Sequence, residues 1–171
     1  MTTFIVLRLI HIVVGVFWVG TLVFVAAFLI PAVRASGPGG GAVMRYLTEG
    51  RHFHVYMIVS AWLTILSGAA MAWRDAGSLG FGWFAIGSGR FFGAGAVLAL
   101  VATAIGMSVN APTAKRLGTL LASVQGSGRP PSPEQQAELQ QLQSRLAGAG
   151  RVAAVLLLLA TAAMAVARYV P

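Results

Sequence analysis

The sequence predicts an all-α, polytopic membrane protein: a bundle of four transmembrane helices with a cytoplasmic helical hairpin as an extension. Three observations predict it. The chain has 171 residues, 57% of them hydrophobic and 9% charged, which is too apolar for an ordinary soluble domain. Its charges are spaced to leave four uncharged runs close to the length that crosses a bilayer. Lysine and arginine collect in alternate connections between those runs, the pattern of a multi-pass protein.

The first run, Leu9 to Val33, has 25 uncharged residues and predicts a helix over about 4–33. Its start, MTTF, has no basic residue and the apolar stretch is longer than a signal h-region, so it is expected to stay as a helix. The second run lies between Arg51 and Arg74 (helix about 53–74), and the third between Arg90 and Lys115 (helix about 90–111). The fourth, Val152 to Ala167, has 16 residues. At helical rise that is roughly 24 Å, and Arg151 and Arg168 can snorkel to complete a helix over about 150–169. All 171 residues form one membrane domain.

The connections follow the same reading. ASGPGGGAVMRYLTEGR opens with a Gly/Pro breaker and then offers a short amphipathic piece at Val43 to Leu47. In DAGSLGFGWFAIGSGR, the aromatics Phe81, Trp83 and Phe84 fit an interfacial belt. Pro112 is expected to kink or end the third helix, with helix resuming along KRLGTLLASV. Ser132-Pro133-Glu134-Gln135 reads as an N-cap, an N1 proline and a capping-box glutamine. Leu139, Leu142 and Leu146 then face Leu117, Leu120 and Val124, which makes 112–148 a helical hairpin. The first and third connections hold eight Lys/Arg and the other side four, so loops 34–52 and 112–150 are expected to be cytoplasmic and both termini outside, in an inner membrane. Helix packing should use small residues, among them Gly89/Gly93, Gly95/Ala99, Ala102/Gly106 and Ala163/Ala167.

Composition also limits the chemistry. With no cysteine there are no disulfides, thiolate metal sites or cysteine nucleophiles. The net charge of +8 is spread over helix ends with no basic, aromatic-interleaved stripe, so nucleic acid is not an expected partner. The four acids, Glu49, Asp75, Glu134 and Glu138, all lie outside the runs, and no HExxH, GxSxG or phosphate-binding loop occurs.

His11 is the one side chain in the first run able to titrate near neutral pH, and such a group inside a membrane helix is a candidate site. Phe4, Arg8, Gly15, Trp18 and Leu22 share its face. If the first helical pair turns near Val43, His11 lies level with about Met71 to Arg74, and Met164 falls at a similar depth. Imidazole alone or with a thioether can hold haem b, copper or another porphyrin-type ligand, and Arg8, Arg74, Arg90 and Arg168 can receive propionates, a lipid headgroup or a quinone. The alternatives are a hydrogen bond to a neighbouring helix, for example through Ser67 or Thr161, or a proton-relay or partner-facing role. His52 and His54 should be interfacial, on the order of 25–30 Å along the axis from His11, and their i, i+2 spacing cannot chelate on a helix.

HIVVGVFWVG, with His11, Trp18 and Gly20 followed by Pro31, resembles a loose group of small bacterial membrane proteins. The group includes the copper-resistance D family, the membrane-bound haem-dependent protoporphyrinogen oxidases and an uncharacterised family of four-helix integral membrane proteins. The last is similar along essentially the whole chain, including SPEQQAELQQLQSRLAGAG. The resemblance implies a b-type haem or copper role for His11. The oxidases pair their histidine with a third-helix lysine, whereas this chain has no lysine before Lys115. Taken together, the residues lead us to expect a non-catalytic accessory or structural subunit in a larger, energy-transducing (photosynthetic or respiratory) membrane complex. Its partners would be the lipid bilayer and other membrane subunits. The alternative is a haem b- or copper-binding redox protein using His11.

Overall fold

A computed structural model of the chain describes residues 2–36 and 38–170, with residues 38, 39 and 49 described in their backbone alone. Gly37, part of the expected breaker, lies outside the described residues. Among these residues there are helices and turns and no strand. Helix α1 (Thr2–Ala35), a short α2 (Pro38–Arg45), α3 (Phe53–Ala76), α4 (Gly87–Ser127) and α5 (Pro133–Ala167) follow in order. All but α2 are long and apolar enough to cross a membrane, which makes the molecule a four-transmembrane-helix bundle. α1 packs beside α3 and α5, and α4 beside α5 and α3, so α1 and α4 stand at opposite corners.

Two prolines explain why the rods are longer than the uncharged runs suggest. Pro112 was expected to kink or end the third helix, yet helix continues through it from Gly87 to Ser127. A proline has no N–H to donate, and its ring crowds the carbonyl four residues back. Here that turn is widened by one residue. Gly106–Asn110 is a π-helical turn closed by the Ala111 N–H on the Gly106 carbonyl, which removes the crowding without breaking the helix. Val25–Leu29 does the same before Pro31, closed by Ile30 N–H on the Val25 carbonyl. The wide turn and its proline recur 81 residues on, Val25 to Gly106 and Pro31 to Pro112, at corresponding points of the two helical hairpins. The expected cytoplasmic hairpin is therefore no separate unit. It is the continuation of α4 and α5, joined at Gly128 in the left-handed region. Ser132 caps α5 through the expected capping box with Gln135, and Arg116 forms a 2.6 Å ion pair with Glu138 across the hairpin.

The interior is built from small residues, with the large ones outside. Along α5, Ala153, Leu157 and Ala160 are 1%, 1% and 4% exposed, whereas Val155, Leu158 and Leu159 are each at least half exposed. Trp18, Ala61, Ala102, Ala153 and Leu157 form the central cluster, with Leu22, Met57 and Ala99 packed on it. Lipid tails are as apolar as leucine, so little is gained by turning leucines inward; close backbone approach is what holds such helices together. Two registers express this. In the first hairpin His11 meets Gly68 and Gly15 meets Thr64, so paired residue numbers total 79, which also matches Trp18 with Ala61 and Leu22 with Met57. In the second, Gly95 meets Ala160, a total of 255 that also matches Ala102 with Ala153 and comes within one of Arg116–Glu138.

Not every small-residue pair does what the pattern suggests. Gly89 and Gly93 seat Trp83 and Phe84 of the preceding connection rather than another transmembrane helix. The aromatics of that connection thus divide: Phe81 is 87% exposed, as an interfacial belt requires, and Trp83 and Phe84 turn inward.

Gly95 tests the second seam. A Cβ there would lie 2.8 Å from Met164 Cγ and 3.0 Å from the Ala160 carbonyl. Gly95→Val is expected to cost about 1–3 kcal/mol, read as a lower melting temperature in mild detergent. Adding Met164→Ala should recover part of the loss, because a side chain can be cut back and the carbonyl cannot. Strict additivity of the two changes would place Met164 elsewhere.

Candidate functional site at the His11 seam

The register of 79 corrects the level expected for His11. It faces Thr64, Ser67 and Gly68, whereas Met71 lies opposite Arg8. The difference arises because α2 and the π-turn Tyr46–Gly50 take up residues between the two helices, so the effective turn precedes Val43. His54 comes level with Val25, about 21 Å along the axis from His11 at helical rise. This is shorter than the expected span and still far beyond a shared metal.

His11 is half-buried, and its Nδ1 lies 2.8 Å from the Thr64 carbonyl oxygen. A carbonyl only accepts, so Nδ1 carries the proton, and in the neutral ring Nε2 holds the lone pair. Ser67 Oγ, 3.4 Å from Nδ1, is a second and weaker acceptor. Gly68 makes the approach possible: a Cβ there would stand 2.8 Å from His11 Cε1. One turn inward, Gly15 packs on Thr64 in the same way, with 3.3 Å between a Cβ and Thr64 Cγ2. The hydroxyls on this face are satisfied within α3, Ser60 donating to Tyr56, Thr64 to Ser60 and Ser67 to Leu63 carbonyls at 2.6–2.8 Å. The hydroxyls of the seam are thus all hydrogen-bonded, as polar groups inside a membrane must be, and His11 Nε2 is the atom left to accept.

The remaining candidates divide between the seams. Trp18 is 6% exposed and closes the seam inward of Gly15, as part of the central cluster. Arg8 is exposed on the same stretch of α1, and the exposed Arg74 guanidinium sits 4.8 Å over the Phe4 ring, a cation–π contact at the N-terminal end of α1. Met71 is half-buried beside them. Met164 belongs to the other seam, against Gly95, and Arg90 is exposed at the start of α4. Arg168 stacks at 5.5 Å on Tyr169. Thr161 is exposed and donates to the Leu157 carbonyl of its own helix. Among the described residues no three His, Asp or Glu side chains gather as a metal site.

Sequence reasoning did not single out Thr64 and Gly68. A signal was present: Ser60, Thr64 and Gly68 repeat at four-residue spacing in SAWLTILSG, as His11 and Gly15 do on α1. Zipped with His11 on Gly68, the two ladders also set Gly15 on Thr64. Comparisons with protein-family models, curated proteins and solved structures return no match to this chain.

Gly68→Ala is expected to displace the imidazole and break its bond to Thr64, a cost of about 1–3 kcal/mol in detergent stability. Solid-state NMR of the ring nitrogens should show the Nδ1–H tautomer in the parent protein. An Nε2–H tautomer would contradict the seam.

Proposed function

We propose that the protein is a non-catalytic subunit of the inner membrane, packing within a larger, energy-transducing complex. The observation that carries this reading is the filled interior. At mid-membrane depth Trp18, Ala61, Ala102, Ala153 and Leu157 occupy the space where a substrate path or cofactor cleft would run. Two depressions of about 280 and 270 Å3 lie away from it, one on the hairpin and one beside the start of α3. What the molecule offers is surface: aliphatic faces on the membrane-crossing helices and a charged hairpin beyond them. The excess of Lys/Arg on the side of connections one and three, eight against four, supports placing the hairpin in the cytoplasm and both termini outside.

Gentle extraction from native membranes followed by mass measurement tests this. The 17.8 kDa chain is expected in a larger particle, and a version with the hairpin tip cut to a short Gly linker should insert normally yet leave the particle. Migration of the full chain solely as a free monomer would overturn the reading.

A second reading is favoured by one specific feature, the Nδ1–H bond of His11 to the Thr64 carbonyl. That bond orients the ring and leaves Nε2 as a donor of electrons, which is how metal-ligating histidines are commonly held. His11 alone would hold haem b, copper or another porphyrin-type group, met at the bundle surface, by supplying one nitrogen ligand. The residues present do not fit a macrocycle between α1 and α3, where Gly68 and Gly15 already touch the opposite helix. The resemblance to copper-resistance D proteins and haem-dependent oxidases points the same way. A Soret band or stoichiometric copper in the purified protein, lost in His11→Ala, would establish it; the absence of both would dismiss it.

A further inference from the structure

The first connection holds a feature that the seam does not use. α3 starts late. Its first residue, Phe53, comes level with Ala26 in the register of 79, eight residues short of Arg34, or about 12 Å at helical rise. Before it, the π-turn Tyr46–Gly50 ends at Arg51, and His52 sits at φ 50°, the one non-glycine residue with positive φ among those described. Helix is therefore interrupted within the depth that α1 spans with uncharged residues. Non-helical backbone at membrane depth persists only where protein or a polar cavity covers it.

A crevice of about 270 Å3 opens at this interruption, lined by Phe17, Leu47, Arg51, Phe53 and Tyr56. It is polarised along the membrane normal. Phe17, nine residues deeper on α1 than the level of Phe53, forms its inner end, and the Arg51 guanidinium is the one formal charge among the lining residues. Tyr56 and Phe17 are 62% and 48% exposed, so the crevice opens sideways toward lipid rather than into the bundle. Its volume is below that of a drug-sized pocket, enough for a phosphate-glycerol unit or part of one chain, with the rest of the ligand left outside. The surrounding charge has the same sign: eight Lys/Arg lie on this side of the protein against Glu49, Glu134 and Glu138. Glu138 is already engaged with Arg116.

We infer that this crevice is a binding site for one anionic phospholipid of the adjoining leaflet, its phosphate on Arg51 and the upper part of an acyl chain along Phe53, Tyr56 and Phe17. The cation selects the headgroup, and the aromatic wall takes the chain at a depth that a headgroup in the free leaflet would not reach. Bound there, the lipid covers the backbone break at Gly50-Arg51-His52 and supplies the polar surface that the late start of α3 leaves uncovered. The site is independent of His11, which lies on the outer half of α1, and of any partner subunit.

Native mass spectrometry of the full chain in mild detergent tests the inference. Phosphatidylglycerol and phosphatidylcholine of identical chains are added in parallel, with inorganic phosphate as a third arm. One phosphatidylglycerol should be retained in preference to phosphatidylcholine. Arg51→Gln should reduce that retention at least fivefold, and Arg129→Gln on the exposed hairpin should leave it unchanged. A phosphatidylglycerol carrying a diazirine in its acyl chain should label peptides containing Phe17 and Tyr56. Equal retention of the two lipids, retention unaffected by Arg51→Gln, labelling spread evenly over the helices, or displacement by millimolar phosphate alone would each overturn the assignment.

Discussion

Helices inside a bilayer gain little from burying leucine against leucine, because the lipid they leave is equally apolar. What they gain comes from contact too close for lipid to match, and that requires residues without bulk at the points of crossing. In this protein the points are few and identifiable. Gly68 receives the edge of His11, Gly15 receives Thr64, and Gly95 receives Met164 and the Ala160 carbonyl. Around them Ala61, Ala102, Ala153 and Ala160 keep the backbones near one another. Once these contacts are made, the two registers are set, the large aliphatic side chains have nowhere to go but outward, and the depth of every polar group follows.

The polar groups accept this constraint rather than oppose it. Each seam hydroxyl donates its proton to a carbonyl one turn back, and His11 donates its own to the Thr64 carbonyl, so the hydrogen bonds of the seam reinforce the register. The prolines are treated similarly. Pro31 and Pro112 each follow a π-turn, which re-routes a backbone bond and keeps the rod continuous. The long α4–α5 hairpin depends on that repair: without the wide turn at Gly106–Asn110, a helix broken near Pro112 would leave the Arg116–Glu138 pair beyond it without a rigid base.

Much of this was legible. Charge spacing alone reveals four spans, because burying a charge in hydrocarbon is costly enough to exclude most alternatives. Ser132 and Gln135 announce the start of α5, since a capping box depends on neighbours only. The level of His11 was less accessible. It depends on how many residues the connection consumes, and neither the π-turn Tyr46–Gly50 nor the left-handed His52 has a strong local signature. Gly89 and Gly93 mislead for a related reason: GxxxG says only that something comes close, and here the intruders are Trp83 and Phe84 from the adjoining turn. The pairing of α1 with α3 was recoverable from the matching four-residue ladders, which depth estimates by chain counting overlook.

The distribution of free polar chemistry along the membrane normal carries the argument one step further. His11 stands about ten residues, or 15 Å, from Thr21, the middle of the uncharged run of α1, which is the boundary of a ~30 Å hydrocarbon core rather than its centre. The interruption of α3 is near the opposite boundary, and between the two the space is filled by Trp18 and its small neighbours. With the middle so filled, the polar side chains best placed to meet a ligand lie toward the two ends of the bundle. Toward one end lies the oriented imidazole of His11, with Arg74 and Arg90 exposed beyond it, and toward the other the Arg51 guanidinium beside a lipid-facing crevice. The packed cluster of Trp18, Ala61, Ala102, Ala153 and Leu157 lies between them, so the two share no lining side chain.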